Sequence, residues 1–306
     1  MQWIRYVKHS CRFDLPLLIC STLVSLANAQ TQPSTETESK SAWQAAAAVM
    51  QRGPQGIELR DQAKLQLPEG YAYIPTKEAS RVMNAMGNQT DSRFIGLIVP
   101  LSDASWFVTI DFEPAGYIKD DDAKDWKADE LLDNLKEGTE AGNKHRSELG
   151  IPPIQVTRWI EPPKYEASTH QLVWSAEARL KNGQDSDPTI NYNTYVLGRE
   201  GYVSMDLVTN SSSIETDKNA AHELLRGIDF NGGKRYADFN SSTDKVAAYG
   251  LAALVGGIAA KKLGLLALAG AFILKFAKLI AVAVAAFGAG IVKWFRRDKM
   301  ETAKGD

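Results

Sequence analysis

Past residue 20 the 306-residue sequence contains no cysteine, because Cys11 and Cys20 are its only two. If the N-terminal segment is removed, thiol catalysis, thiolate metal sites and structural disulfides are all excluded from the mature chain. Folding must then rest on a hydrophobic core, which a body of this length can bury. Histidine is scarce too, with four in the chain. His145, His170 and His222 lie outside the N-terminal segment, and none has a partner at the HExxH spacing of a zinc-binding helix. Each reads first as a surface or structural residue. Ser211-Ser212-Ser213 has no GxSxG surroundings, and Gly232-Gly233-Lys234 lacks the spacing and terminal hydroxyl of a phosphate loop. No motif calls for a cofactor. Basic clusters are absent from the body: residues 30–242 carry 32 Asp+Glu against 22 Lys+Arg. An acidic body argues against nucleic acid as a partner.

What is present lies first at the two ends. Residues 1–29 have the three parts of an export signal. Arg5, Lys8 and Arg12 form a positive start, Leu15 to Leu26 a short apolar stretch, and Ala27-Asn28-Ala29 a small-residue cleavage site. Cleavage is expected between Ala29 and Gln30. Residues 30–42 are polar and read as a disordered spacer. From Val246 to Phe295 the composition turns to Ala, Leu, Val, Ile and Gly, which reads as membrane-anchoring helices. Lys261-Lys262 divide this stretch, Lys275 and Lys278 sit inside its second part, Lys293 lies near its end, and Arg296 and Arg297 begin a basic, polar tail over 296–306. Lys261, Lys262, Lys293, Arg296 and Arg297 are expected to flank the membrane. One crossing with a cytoplasmic basic end and a two-helix hairpin both fit, and lipid is the expected contact of the tail.

The body, residues 43–240, reads as one α+β domain, an antiparallel sheet packed with helices. A short helix is expected over Trp43–Met50. Ile57 and Leu59, then Ala63, Leu65 and Leu67, alternate as strands broken at Arg60-Asp61. Thr76 looks like the cap of a helix over Lys77–Met86 that Gly87 stops. Strands follow over Phe94–Leu101 and Trp106–Phe112, then a long helix over 124–149 that Pro152-Pro153 ends. Four strand-like runs, Gln155–Ile160, Gln171–Leu180, Ile190–Leu197 and Tyr202–Thr209, indicate a meander. Thr216 or Asp217 is expected to cap a last helix, and Ile228–Phe230 to form an edge strand.

The densest group of carboxylates is Asp120-Asp121-Asp122, with Asp125 and Asp129 behind it. These three are the candidate metal ligands, since hard divalent cations take oxygen donors. The group lacks the alternation and interior glycine of a calcium loop. Acids ahead of the long helix also favour its N-terminal dipole, which is the competing reading. The aromatics Trp106, Trp126, Trp159, Trp174, Tyr192, Tyr195 and Tyr202 fall at strand spacing and read as core and cross-strand pairs.

Several separated motifs are distinctive. They are Gly116-Tyr117-Ile118-Lys119-Asp120-Asp121-Asp122, the series Trp159, Pro162-Pro163-Lys164-Tyr165 and Leu172-Val173-Trp174, then Asn191-Tyr192-Asn193 with Leu197-Gly198-Arg199. A last run joins Gly233–Asn240 to Thr243–Val255 through Tyr236-Ala237-Asp238-Phe239 and Ala247-Ala248-Tyr249-Gly250. From about residue 50 to residue 295 the chain resembles the bacterial DUF2167 family of uncharacterised membrane-anchored proteins. The resemblance implies an exported domain with C-terminal membrane segments, at the cell membrane with its domain on the outer side. It implies no activity and no site residues. Tyr236, Phe239 and Tyr249 would sit near the headgroup layer or dock the last strand on the domain's own surface. The leading functional expectation is a non-enzymatic module that binds an envelope or membrane protein. The alternatives are a metal-dependent envelope hydrolase using Asp120–Asp122 with one histidine, and a structural subunit assembled through Gly250, Ala253, Gly256, Gly257, Gly288 and Gly290.

Overall fold

The computed structural model describes residues 35–148, 152–181, 183 and 187–256. In chain order its elements are α1 (Thr35–Val49), β1 (Gln51–Arg52), β2 (Gln55–Leu59), β3 (Ala63–Leu67), β4 (Tyr71–Pro75), α2 (Thr76–Ala85), β5 (Phe94–Pro100) and β6 (Phe107–Glu113). After them come a 3-10 turn (Asp121–Lys124), α3 (Ala128–Glu148), β7 (Ile154–Glu166), β8 (Gln171–Leu180), β9 (Thr189–Leu197) and β10 (Tyr202–Asn210). The chain then forms α4 (Ile214–Arg226), β11 (Ile228–Phe230), a second 3-10 turn (Tyr236–Asp238) and α5 (Ala253–Gly256). The fold is α+β, as expected, around an eight-stranded antiparallel sheet ordered β1-β4-β5-β6-β10-β9-β8-β7. A small second sheet, β11-β3-β2, completes it.

Alternation of side chains along the strands gives the large sheet two different faces. On one face Val203, Met205 and Leu207 of β10, with Val108, Ile110 and Phe112 of β6, pack against α4 and the small sheet. The other face is covered in two places. Ala42 and Ala46 of α1 and Val82 and Met83 of α2 bury Ala72, Ile74, Leu97 and Phe107 at one end. At the other end Leu131 of α3 and Leu251 and Val255 of the C-terminal segment bury Leu172, Trp174, Tyr195 and Tyr202.

Some elements differ from expectation, each for a local reason. Residues 35–42 of the expected spacer are helical, and Ala42 is buried. The packing of α1 on α2 and β4 supplies what its polar sequence lacks. Thr76 is the first helical residue rather than the cap, which falls on Pro75. Its hydroxyl instead donates to the carbonyl of Ile95. Asp217 is not a cap either: α4 starts at Ile214, and the Asp217 carboxylate accepts from the Thr209 hydroxyl. β7 continues through Pro162-Pro163 to Glu166. It is an edge strand with register shifts around those prolines, where a residue without an N–H is tolerated. The long helix starts at Ala128 rather than 124, and the Trp159 indole fixes that end by donating to the Ala128 carbonyl at 3.1 Å. At the opposite end Asn143 exchanges two hydrogen bonds with the backbone of Ile154, at 2.8 and 2.9 Å.

Candidate functional site

The domain does not stop at residue 240. Residues 231–256 run back across it as a strap, which pairs with the segment 115–122 and with the end of β9. Three kinds of contact hold the strap. Main chain pairs with main chain: the Tyr117 N–H donates to the Lys245 carbonyl, and the Ala247 N–H to the Tyr117 carbonyl, both at 2.8 Å. Charges pair along the first half of the strap. Arg199 binds both oxygens of Asp244, at 2.6 and 2.8 Å, and Lys234 reaches Glu200 at 2.7 Å. The planar guanidinium fork matches a carboxylate in two hydrogen bonds. Hydrogen bonds from Arg199 hold the Asp244 carboxyl well below the usual carboxylate range.

Aromatic rings form the third contact. Tyr117 stacks on Phe239 at 3.8 Å and lies 4.4 Å from Tyr236. Tyr236 is buried, and its hydroxyl donates to the Ile118 carbonyl at 2.8 Å. On its other side the ring of His170 lies 4.1 Å away. Tyr236 and Phe239 therefore dock on the domain's own surface.

The Asp120–Asp122 group meets the strap here, and its members have separate tasks. Asp122 accepts the N–H groups of Leu251 and Ala252 at 3.1 and 3.0 Å. It thus satisfies donors at the turn into α5 rather than at the long helix. Asp120 accepts the Tyr165 hydroxyl at 2.7 Å. Asp121 is exposed and lines a cleft of about 360 Å³ with Lys119, Asp122, Ala247, Tyr249 and Gly250. Among the described residues no three His, Cys, Asp or Glu side chains converge to hold a metal. Two glycines matter in this contact. A Cβ on Gly250 would stand 2.5 Å from the Asp122 carboxylate. One on Gly116, whose φ is +91°, would stand 2.6 Å from the Lys245 carbonyl oxygen. The close approach of strap and segment needs glycine at both.

Beside the strap Tyr165, Asp120 and His170 form a small network. The Tyr165 O–H donates a hydrogen bond to Asp120, so its oxygen accepts from His170 Nδ1 at 3.1 Å. That assigns the proton of neutral His170 to Nδ1 and leaves the lone pair on Nε2. Burial first, then Asp120, raises the Tyr165 hydroxyl far above its ordinary value. Burial lowers His170, although the charge of Asp120 opposes this. Across the sheet the same pattern recurs: Tyr192 donates to Glu161 at 2.8 Å and meets His222 Nε2 at 2.9 Å. Burial raises Tyr192 and lowers His222. Hydroxyls held protonated in this way supply geometry rather than a nucleophile at neutral pH.

Neither network was legible at short range, because each joins residues from separate elements. The motif residues Tyr117, Asp120, Asp122, Tyr165, Arg199, Tyr236 and Tyr249 do meet around the strap. Ala29, Gln30, Lys261, Lys262, Lys293, Arg296 and Arg297 lie outside the described residues. So does most of the expected membrane stretch 246–295, of which residues 246–256 are described and lie in the strap. Among the described residues no helix is long and apolar enough to cross a membrane.

Two solved structures are similar at low level. Cyanobacterial PsbP from Synechocystis sp. PCC 6803 is 13% identical over 60% of this chain and 92% of its own, with a TM-score of 0.35. The Ran-binding protein Mog1p of Saccharomyces cerevisiae is 11% identical over 58% and 96%, with a TM-score of 0.33. At these scores neither carries an argument about this chain. No curated protein matches the sequence. A family model described as protein of unknown function DUF2167 matches residues 51–288, and this chain belongs to that family.

Proposed function

We propose that this is an exported, membrane-tethered module that binds or assembles with another envelope protein on the outer side of the cytoplasmic membrane. In this reading the signal is cut between Ala29 and Gln30, and the acidic α+β domain is held at the bilayer by the C-terminal stretch. The observation that carries it is the docked strap. Leu251 and Val255 are buried in the domain core, and Asp122 satisfies the N–H groups of Leu251 and Ala252. Leu251 and Val255 thus contribute to the domain core, which supports a path for this segment along the domain rather than across a bilayer. The apolar run after Lys262 is long enough for one span.

This favours one crossing over a hairpin. Lys293, Arg296 and Arg297 then lie on the cytoplasmic side, as the positive-inside rule prefers, and Lys261 and Lys262 flank the outer side. The docked strap holds the chain to the domain as far as the described residues run, through Asp122 with Leu251 and Ala252, so this part of the path towards the proposed span is fixed on the domain surface. Such fixed attachment suits binding or assembly, and the tyrosine networks, which activate no nucleophile, fit the same reading.

In-cell crosslinking followed by purification of the full chain tests the proposal. One recurring protein neighbour, lost when Asp122→Asn and Leu251→Ala loosen the strap, is the expected result. Recovery of the chain with no recurring neighbour overturns it.

A further inference from the structure

Open sheets have edges, and this chain treats its edges unequally. At the ends of the large sheet, β1 offers two residues, and β7 carries Pro162-Pro163 and three register shifts. Short, bulged or proline-bearing edges resist pairing with another chain. β11, at one end of the small sheet, has three residues. β2, at the other end, is different. Gln55–Leu59 pairs residue by residue with Leu67–Ala63 of β3, with no bulge and no proline inside it.

The hydrogen bonds of β3 show which groups of β2 are free. The Gln66 N–H donates to the Gly227 carbonyl at 2.8 Å, and the Gln62 carbonyl accepts from the Asn231 N–H at 2.9 Å. Both bonds lie on the β11 side. Main-chain groups of successive residues point to opposite sides of a strand, so Gln62, Lys64 and Gln66 face β11. Gly56 and Glu58 stand opposite Gln66 and Lys64, in pairs that share no hydrogen bond. The N–H and C=O groups of Gly56 and Glu58 therefore point away from β3. Among the described residues they meet no main-chain partner. Both residues are exposed, whereas Ile57 and Leu59 are buried in the core.

A second copy of the strand fits this edge. Laid antiparallel with a two-fold axis at Ile57, it sets Gly56 opposite the partner's Glu58, and the reverse. These are the residues with outward groups, so each pair exchanges both N–H···O bonds. Charge agrees with the same register. Lys64 forms an ion pair with Glu58 at 2.6 Å, and both side chains are well exposed. The Lys64 stem lies over Gly56, its Cδ 3.2 Å from where a Cβ would stand. The partner's Glu58, opposite Gly56 on the same face, arrives beside that stem and within reach of its ammonium. Each copy brings one cation and one carboxylate to the junction, which is the self-complementarity a two-fold interface requires.

We propose that β2 pairs with β2 of a second copy, joining two small sheets in the order β11-β3-β2-β2-β3-β11. This rests on the assembly reading and deepens it by naming a second copy of this chain as a partner. Pairing of one short strand buries little surface, so the contact depends on the high local concentration of tethered copies.

Disulfide mapping of the full chain in its native membrane tests it. Differently tagged copies, one with Gly56→Cys and one with Glu58→Cys, are expected to give a linked dimer whose disulfide joins positions 56 and 58 by mass spectrometry. Opposed residues of such a pair stand about 5.5 Å apart, within disulfide reach. Either variant alone should link several-fold less, because like positions lie on the diagonal, about 7–8 Å apart. Both positions are exposed and both leave the bonds to β3 intact, so each variant should keep the Tm of the parent. Lys64→Glu in both copies sets like charges at the junction and should slow linking about tenfold. No disulfide between 56 and 58, equal linking by either variant alone, or linking indifferent to Lys64→Glu overturns the inference. A different protein recovered as recurring neighbour alongside any of these failures would leave the module reading standing without the β2 contact.

Discussion

The Tyr236 hydroxyl reaches the Ile118 carbonyl across the strap contact, so Tyr236→Phe leaves a buried acceptor without its donor. Loss of such a bond costs about 1–2 kcal/mol, measurable as a lower urea midpoint. Asp122→Asn should cost more, about 2–3 kcal/mol, because it weakens two bonds to an ionised acceptor and aims an amide at two N–H groups. At the same scale the two histidines set a pH dependence. Burial holds His170 and His222 below their usual value of 6.5, against the opposing pull of Asp120 and Glu161. Unfolding therefore takes up protons as pH falls through that value. The stability they contribute is full above about pH 6.5 and is lost below it. Tm should fall between about pH 7.5 and about pH 5, and His170→Gln with His222→Gln should flatten the slope. Glu177, drawn down to about 2 chiefly by its hydrogen bond from Arg179, adds a separate loss that begins only below its usual value of 4.5.

At the scale of elements, the strap is the feature whose surroundings composition leaves open. Ala247 to Val255 are apolar enough to suggest a bilayer, yet they meet the domain through Leu251, Val255 and the backbone bridge at Tyr117. Hydropathy measures transfer out of water and does not distinguish lipid from a protein core. Leu251→Ala should cost about 2–4 kcal/mol by leaving a cavity under the strap. Gly250→Ala should displace Asp122, since a methyl there stands 2.5 Å from its carboxylate. Limited proteolysis checks both: each variant should be cut between residues 240 and 256 faster than the parent chain. Equal cutting rates would mean that the strap is held elsewhere. β7 gives the converse case. Pro162-Pro163 suggests a break, but at a sheet edge with bulges the missing N–H groups cost little.

On the scale of the whole molecule, the proposed single crossing makes a definite statement about the C-terminus. A fluorescent protein fused after Asp306 should fluoresce in the cytoplasm, and an alkaline phosphatase fused there should be inactive. Active phosphatase would restore the hairpin. The docked strap further predicts that the domain and residues 241–256 unfold in one transition, since the third core cluster draws on both. Separate melting of a strap probe and a sheet probe would contradict that.

The α+β class, the strand runs, the meander and the acidic body were legible in the sequence, because strand alternation, turn residues and charge are local properties. The motif run from Gly116 to Asp122 was legible as a group, but its tasks were not. A carboxylate's role depends on the donor it meets: for Asp122 that donor is more than a hundred residues away in the strap, and for Asp120 it is Tyr165 on β7. The same holds for Arg199 with Asp244 and for Tyr192 between Glu161 and His222. Only the tertiary structure decided that the described residues after 240 pack on the domain. Burial of Leu251 and Val255 is a property of the surface they meet, and no pattern within residues 246–256 could reveal that the surface was the chain's own.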